Sequence, residues 1–441
     1  MPDISVPWGG DALELSLPAP WTIQQVADPQ MRSAPADWTQ QLARALNQPG
    51  AGAALDRLLA ARRGGRIELI VEDASRHSPL VDILHVVLRE VRHAGVKDEQ
   101  IGVCFATGRH RPVTDAEAAE KLGDAAAAIP WRSNPWHDRS AYVYTGQVGP
   151  VEVLTERRVA EADLRIIISS VNPHLQAGFG GGYKMLYPGC AHESTIGALH
   201  RLGVGRTDRQ LVGTDPQHNP MRCAIDAAGA QLDAGATTTF TVQYLLDASG
   251  LPSVFATGEA VPAHRMLAKR CAVACGVVPE APADVLITNA HPLDGDLWQS
   301  FKCIANTRYA AAAGAPIICL SRCERGLDDM QVPRWPLTAS WTRRAVRLLG
   351  PEALGALVMR LVPRLAGDAA FFVRLALRTL HRNPLLLVCP TLHASGARFP
   401  GVEIFAHPAD AFEAADEQLG GSEARVTVFA AGGVTYPVPQ T

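Results

Sequence analysis

Between residues 66 and 108 the chain reads RIELIVEDASRHSPLVDILHVVLREVRHAGVKDEQIGVCFATG, and this stretch decides the fold. The β-branched run RIELIVED (66–73) leads into VDILHVVLREVRHAG (81–95), where apolar residues recur at helical spacing, and then into IGVCFATG (101–108). Strand, helix and strand at this spacing are the rhythm of a parallel sheet covered by helices. An Ala-rich helical stretch at 115–128 and the strand candidates SAYVYT (140–145), VEVLTE (151–156), LRIIISS (164–170) and TTTFTVQYLLD (237–247) extend it, the later ones with a more antiparallel pattern. The Pro-rich passage CGVVPEAPAD (275–284) precedes a new cycle: VLITNA, a helix over 294–313, PIICLS, helices between 338 and 381, LLLVCP and RVTVFAA (425–431). The expected fold is α/β, with two mixed α/β domains over 1–275 and 283–441 and the active site in the interdomain cleft. Ligands in such folds tend to sit beyond the carboxyl ends of the strands, so polar residues that follow strands are the first suspects.

Composition narrows the function classes. The 441 residues carry a formal charge of −3 without a long single-sign run, whereas a nucleic-acid or anionic-membrane surface needs clustered basic charge. With 47% hydrophobic and 19% charged residues the chain is globular and long enough for more than one domain. No apolar run reaches the ~18 to 20 residues of a spanning helix, and MPDISVPWGGDALEL lacks a signal-peptide layout, so a cytoplasmic protein is expected. Nine scattered cysteines, mostly inside apolar runs, read as reduced core residues. The pairs Cys271/Cys275 and Cys319/Cys323 would share a helix face, but neither has a second pair at zinc-finger spacing.

Four segments put unusual polar residues after a strand or at a helix start. The first, Glu72 to Pro79, holds Asp73 and Arg76, suited to orienting a charged ligand or, equally, to an N-cap with a local ion pair. The second, Ala106 to Pro112, sets His110 between two arginines after Thr107-Gly108, as a surface turn also could. The third runs from Leu164 to His200: Asn172-Pro173-His174, then Gly178-Phe179-Gly180-Gly181-Gly182-Tyr183-Lys184, then Pro188-Gly189 opening a helix with His192 and His200. Glycines at this density permit close backbone approach to a ligand. The run is not a Walker loop, because Tyr183 separates Gly182 from Lys184 and Met185 follows; Tyr183 also blocks a dinucleotide fingerprint. His192, Ile196, Leu199 and His200 share a helix face, so His200 can point inward, as a ligand or as a core histidine satisfied by a carbonyl. The fourth, Asn289 to Lys302, starts a helix near Asp294 or Asp296 and carries Trp298, Gln299 and Lys302 in its first turns, a pattern that an exposed amphipathic helix shares.

In their order and spacing the four segments resemble the lactate racemase family, enzymes that carry a nickel-pincer nucleotide, over roughly residues 66 to 305. The resemblance rests on Asp73, Arg76, Thr107-Gly108, His110-Arg111-Pro112, His174, Gly181-Gly182, Lys184, Pro188-Gly189, His200, Gln299 and Lys302. It implies that Lys184 holds the cofactor, a pyridinium bis-thiocarboxylate mononucleotide with nickel, through a thioamide. His200 would then be the protein's metal ligand, and imidazole beside soft donors suits Ni(II). His110 and His174 are implied to be the acid/base pair, one for each face of the substrate. Asp73, Arg76, Gly181 and Gly182 are implied to hold the cofactor, and Arg76, Trp298, Gln299 and Lys302 the substrate. Arginine suits a bidentate grip on a carboxylate, with lysine as a point charge.

The expected activity is racemisation or epimerisation of a 2-hydroxy acid, lactate-like or larger, by hydride transfer to and from the cofactor. The implied partners are that small-molecule acid and the cofactor-biosynthesis and nickel-insertion enzymes, with no nucleic acid and no membrane. Three positions depart from the family pattern: His77 follows Arg76 in place of Pro, Gly180 stands where serine is common, and Trp298 replaces a Tyr of lactate-specific members. These changes bear on the substrate. Two other classes remain: a zinc-dependent hydrolase using His174, His192 and His200, which lacks a His-Glu-x-x-His spacing, and a non-catalytic ligand-binding homologue.

Overall fold

The strand Ile67–Val71 is buried at every residue, and so are Ile101–Phe105 and Leu164–Ser170. That is the signature of a parallel sheet covered on both faces. The computed structural model describes residues 3–62, 64–204, 210–235, 237–326, 336–365 and 369–438, without the side chains of Trp298, Arg364 and Ala369. Among the described residues no helix is long and apolar enough to cross a membrane.

The chain forms two compact units. The unit of residues 31–205 and 214–274 is built on a six-stranded sheet in the order Pro252–Gly258, Thr238–Leu246, Leu164–Ser170, Ile67–Val71, Ile101–Phe105, Trp131–Ser133. All neighbours are parallel except the first pair. Helix Leu80–His93 lays Leu80, Ile83, Leu84, Val87 and Val91 on one face, which the 3–4 spacing of these residues dictates. On the other face Ile70, Cys104 and Ile167 pack with Tyr183, Leu186 and Tyr187 and with helices Glu193–Leu202 and Pro220–Asp233. The glycine-rich segment is therefore part of the core layer. SAYVYT and VEVLTE form a separate antiparallel hairpin, Tyr142–Val148 with Val151–Glu156.

The second unit holds residues 275–441 together with 1–30 and a short passage ending at Gly213. Its six-stranded sheet is parallel throughout, in the order Val402–Phe405, Leu385–Val388, Ile317–Leu320, Val285–Asn289, Ala424–Phe429, Trp21–Ala27. The four strands expected here are present, and the two edge strands were not anticipated. This corrects the boundary at residue 1: Trp21–Ala27 pairs with Ala424–Phe429, and the Trp21 indole donates to Asp416 at 2.9 Å. A strand this far in sequence from its partner gives no local sign of which sheet it will join. Cys319 lies in a strand and Cys323 beyond it, so those two do not share a helix, whereas Cys271 and Cys275 both lie in helix Ala260–Cys275. Among the described residues no disulfide joins the cysteines, and all nine but Cys223 are buried.

Candidate active site

The loop after Ile67–Val71 carries two buried carboxylates with different partners. Glu72 turns inward: its Oε1 accepts from the Ser170 amide at 2.7 Å and hydroxyl at 2.5 Å, and its Oε2 from Ser78 at 2.7 Å and Tyr244 at 3.1 Å. That ties the loop to the end of Leu164–Ser170. Asp73 turns toward the next strand's loop. Its Oδ1 accepts from the Ser75 amide at 3.0 Å and hydroxyl at 2.5 Å, and its Oδ2 lies 2.8 Å from His110 Nδ1. Burial alone would raise this carboxyl, but the His110 hydrogen bond and charge, Arg76 and Ser75 outweigh it and hold Asp73 well below the usual carboxylate range. An ionised carboxylate can only accept, so His110 donates from Nδ1, and the neutral ring has its lone pair at Nε2. His110 itself is exposed.

Gly108 has φ +56° and donates its amide to the Gly189 carbonyl at 2.9 Å, joining the His110 loop to the glycine-rich arm. Buried Asn134 strengthens that junction by donating to the Gly108 and Ala191 carbonyls at 3.1 and 3.0 Å. Thr107 Oγ1 is buried and has no hydrogen-bond partner among the described residues. Such an atom costs free energy unless a ligand or water meets it.

Beyond Leu164–Ser170 the chain makes a short antiparallel pair, Pro173–His174 with Gly178–Phe179, and then the arm. Gly181 and Gly182 have φ +77° and +61°. A Cβ on Gly181 would lie 2.8 Å from Val171 and 3.0 Å from the Ser170 carbonyl, and one on Gly182 3.2 Å from His264. In those directions the glycines accommodate protein, so packing of the arm already requires them. Lys184 follows in the turn Gly182–Met185 and is partly buried. Burial first, then the charges of Arg76 and Arg222, bring its amine down to about 7 against the opposing pull of Asp73 and Glu72. Tyr183 is seated from the far side. Its hydroxyl donates to Asp233 at 2.5 Å, and its ring fills the space beside Gly229, where a Cβ would come within 2.2 Å.

His174 Nδ1 accepts backbone amides from Gln176 at 3.3 Å and Ala177 at 3.1 Å. Its proton is therefore on Nε2, the opposite tautomer to His110. Gln176 reaches from this turn to the His200 carbonyl at 3.2 Å, bringing the two histidines into one neighbourhood. His200 sits in the last turn of Glu193–Leu202, at the margin of the buried face formed by Ile196 and Leu199. The helix opens at Glu193 and not at Pro188-Gly189, because His192 is its N-cap: Nδ1 accepts the Ser194 amide at 3.2 Å. That contact occupies Nδ1 of His192, and the described residues contain no group of three or more His, Cys, Asp or Glu arranged to hold a metal ion.

Gln299 and Lys302 lie in helix Leu297–Thr307, in the other unit. Asp296 caps this helix, accepting from the Gln299 amide at 2.8 Å, and the Lys302 amine donates to Gln299 Oε1. The Trp298 side chain lies outside the described residues.

Residues 8–212 match the family described as the lactate racemase N-terminal domain. Over that stretch, just under half of the chain, the sequence is similar to the lactate racemase family. The family's lactate racemase from Thermoanaerobacterium thermosaccharolyticum is 26% identical over 346 residues, covering 76% of this chain and 78% of that protein. The Lactiplantibacillus plantarum lactate racemase is 28% identical over 278 residues, covering 60% and 62%. In fold, the chain superposes on the lactate racemase apoprotein from T. thermosaccharolyticum with a TM-score of 0.82 at 21% identity, over 99% of this chain and 100% of that one. A Thermotoga maritima protein gives 0.63 at 14% identity, over 91% and 97%.

Several residues at the site escaped the sequence reading: Asn134, Gln176, Arg222, Asp233 and His264. Arg222 sits between Met221 and Ile225 on a buried helix face, and His264 in an ordinary amphipathic run. Neither has a motif around it. Asn219-Pro220 does signal a helix start, which was the available hint for the helix that carries Arg222.

Proposed function

We propose that this chain is an isomerase of the lactate racemase family and that it racemises or epimerises a 2-hydroxy acid with a nickel-pincer nucleotide attached to Lys184. The observation that carries the reading is geometric: Lys184 follows the Gly181–Gly182 turn of an arm tied to the His110 loop through Gly108 and Gly189, and its amine feels the charge of Asp73, to which His110 donates. An amine with pKa about 7 is about half unprotonated at neutral pH, the form that can bond an activated carboxyl group. The residues present fit the group: Lys184 would hold it, His200 would supply the imidazole ligand, and Thr107 Oγ1 is a buried polar atom without a hydrogen-bond partner among the described residues. The chemistry such a group would supply when bound is reversible acceptance of hydride from the substrate Cα.

The chain's own residues handle the protons and the carboxylate. His110 Nε2 takes the hydroxyl proton, and Asp73 holds the imidazolium that results in its orientation. His174, protonated on Nε2, meets the substrate oxygen as a donor. To act as a base in its turn, it must move that proton to Nδ1 and release the Gln176 and Ala177 amides. Arg76, whose charge acts on both Asp73 and Lys184, would pair with the substrate carboxylate, as the resemblance implies. Assignment of Trp298, Gln299 and Lys302 to the substrate, and of Gly181 and Gly182 to the cofactor, rests on the resemblance alone.

The test is intact mass, metal content and racemisation of a panel of 2-hydroxy acids, using protein made alongside the cofactor-biosynthesis and nickel-insertion enzymes. An adduct on Lys184 with one nickel is the expected result. Active protein with Lys184 unmodified defeats the reading, and zinc without an adduct points to the hydrolase.

A further inference from the structure

The arm that carries Lys184 is gripped from behind by a fully buried cation. Helix Pro220–Asp233 opens on Asn219, whose Oδ1 accepts the Arg222 amide at 2.9 Å and whose Nδ2 donates to the Gln176 carbonyl at 3.0 Å. The cap fixes the first turn of the helix against the start of the arm and delivers the Arg222 side chain, 0% exposed, to its backbone. One guanidinium nitrogen donates to the Gly181 carbonyl at 3.2 Å and the other terminal nitrogen to the Phe179 carbonyl. Between them the Gly180 carbonyl lies 2.9 Å from His264 Nε2. Three successive carbonyls of the arm are thus tied down. Arg265 supports the arrangement, donating to His264 Nδ1 at 3.0 Å and to Asp226 at 2.5 Å, and Asp226 also lies 3.7 Å from Arg222.

Burying an arginine is expensive, and neutral donors could have satisfied the same carbonyls, so the charge itself calls for an explanation. We propose that Arg222 is a positioning residue for Lys184: by gripping the Phe179 and Gly181 carbonyls it fixes the arm in the shape that presents the lysine to the cofactor. The inference rests on Lys184 being the attachment point. A second effect follows from place and charge. The groups acting on the Lys184 amine are Arg76 and Arg222 on the positive side and Asp73 and Glu72 on the negative. Without Arg222 the two carboxylates face one guanidinium, and the amine holds its proton more tightly.

The experiment compares full-length apoprotein of the parent, Arg222→Met and Arg222→Lys. Acetylation of Lys184 against pH, read by peptide mass spectrometry, gives the titration of the amine; hydrogen exchange over residues 176–187 gives the rigidity of the arm. In the parent the amine should titrate near 7. Arg222→Met should move that midpoint up by about one pH unit, as loss of a nearby like charge does, and exchange in the arm should quicken by about tenfold or more. Arg222→Lys should keep the titration near the parent's yet still loosen the arm, because one ammonium cannot span two carbonyls. A folded Arg222→Met that alters neither the titration nor the exchange overturns the proposal. If Arg222→Met does not fold, unchanged arm exchange in Arg222→Lys overturns it instead. The mass of parent holoprotein keeps the two ideas apart: no adduct on Lys184, with the arm still loosened in the variants, defeats the attachment reading and leaves the grip standing.

Discussion

Replacing Asp73 by asparagine should remove the base without removing the fold. Asparagine keeps one oxygen and replaces the other with a donor amide, and the structure dictates which end faces which way. The Ser75 backbone amide, 3.0 Å from Oδ1, is a fixed donor and keeps the oxygen on its side. The NH2 group then lands where Oδ2 was, 2.8 Å from His110 Nδ1. Two donors cannot share that contact, so the imidazole accepts at Nδ1 and carries its proton on Nε2, where the lone pair is needed. General-base help is worth ~10²- to 10⁴-fold, and a comparable tautomer inversion in serine proteases costs ~10⁴-fold. The expected loss is therefore about 10²- to 10⁴-fold, or roughly 3 to 5 kcal/mol in the barrier. The assay is the initial rate of racemisation from each enantiomer, normalised to nickel bound so that incomplete loading is not read as slow chemistry. Ser75→Ala is the control: it removes a hydroxyl donor and leaves the tautomer alone, so its loss should stay below about tenfold, far short of the loss of a base. An Asp73→Asn protein that racemises within about threefold of the parent, well under that range, would show that the Asp73–His110 contact does not set the tautomer.

Alanine at His110 or His174 should each cut racemisation by at least ~10²-fold in both directions, and the double variant should lose little more, because either change alone already blocks the route; additive losses in a double-mutant rate comparison would contradict the two-base scheme. His200→Ala should lower nickel retention, measured by metal analysis after gel filtration, while circular dichroism stays native; unchanged metal and activity would return His200 to the role of a core histidine. Lys184→Met should stabilise the apoprotein at neutral and acid pH. The folded amine has its pKa lowered to about 7, so the unfolded chain binds more protons between that value and the ordinary 10.5, and stability rises with pH across the window. The gain from Lys184→Met should be fully present below pH 7 and vanish toward pH 10 in urea titrations; a gain that ignores pH refutes the buried-amine account. For Asp73 the pH slope has the same direction but the contribution is stabilising: its depressed pKa adds stability above the unfolded value of ~3.9, lost as pH falls. The stability difference between the parent and Asp73→Asn should shrink below about pH 4, and a constant difference there would count against it.

Much of the fold was legible because the decisive strands are short, apolar throughout and punctuated by helices of clear 3–4 periodicity. Ile67–Val71, Ile101–Phe105 and Leu164–Ser170 announce burial on both faces with no reference to anything distant. Edge strands carry a weaker signal. Trp21–Ala27 is buried only at its two ends and exposed or partly buried between them, and its place beside Ala424–Phe429 is set by contacts about 400 residues away. The site divided along the same line. Lys184, His110, His174 and Asp73 follow strands or lie among glycines, where a polar residue has few ordinary reasons to be.

Arg222 and His264 had no such context, and the reason is physical. Groups that act on the ligand's surroundings from inside the core occupy positions whose periodicity says only that they are buried. A charge there is visible in sequence as an anomaly at most, and its meaning depends on which backbone atoms it meets. For Arg222 those are the carbonyls of the arm that carries Lys184. The same guanidinium that holds the arm also repels a proton from the lysine it presents. Placement and reactivity of the amine are thereby coupled through one residue, so a change that only rigidifies the arm and a change that only alters its charge should separate in kinetics. Arg222→Lys retains the charge and gives up the two-carbonyl grip, and it is expected to leave the amine reactive on an arm less able to hold it in place.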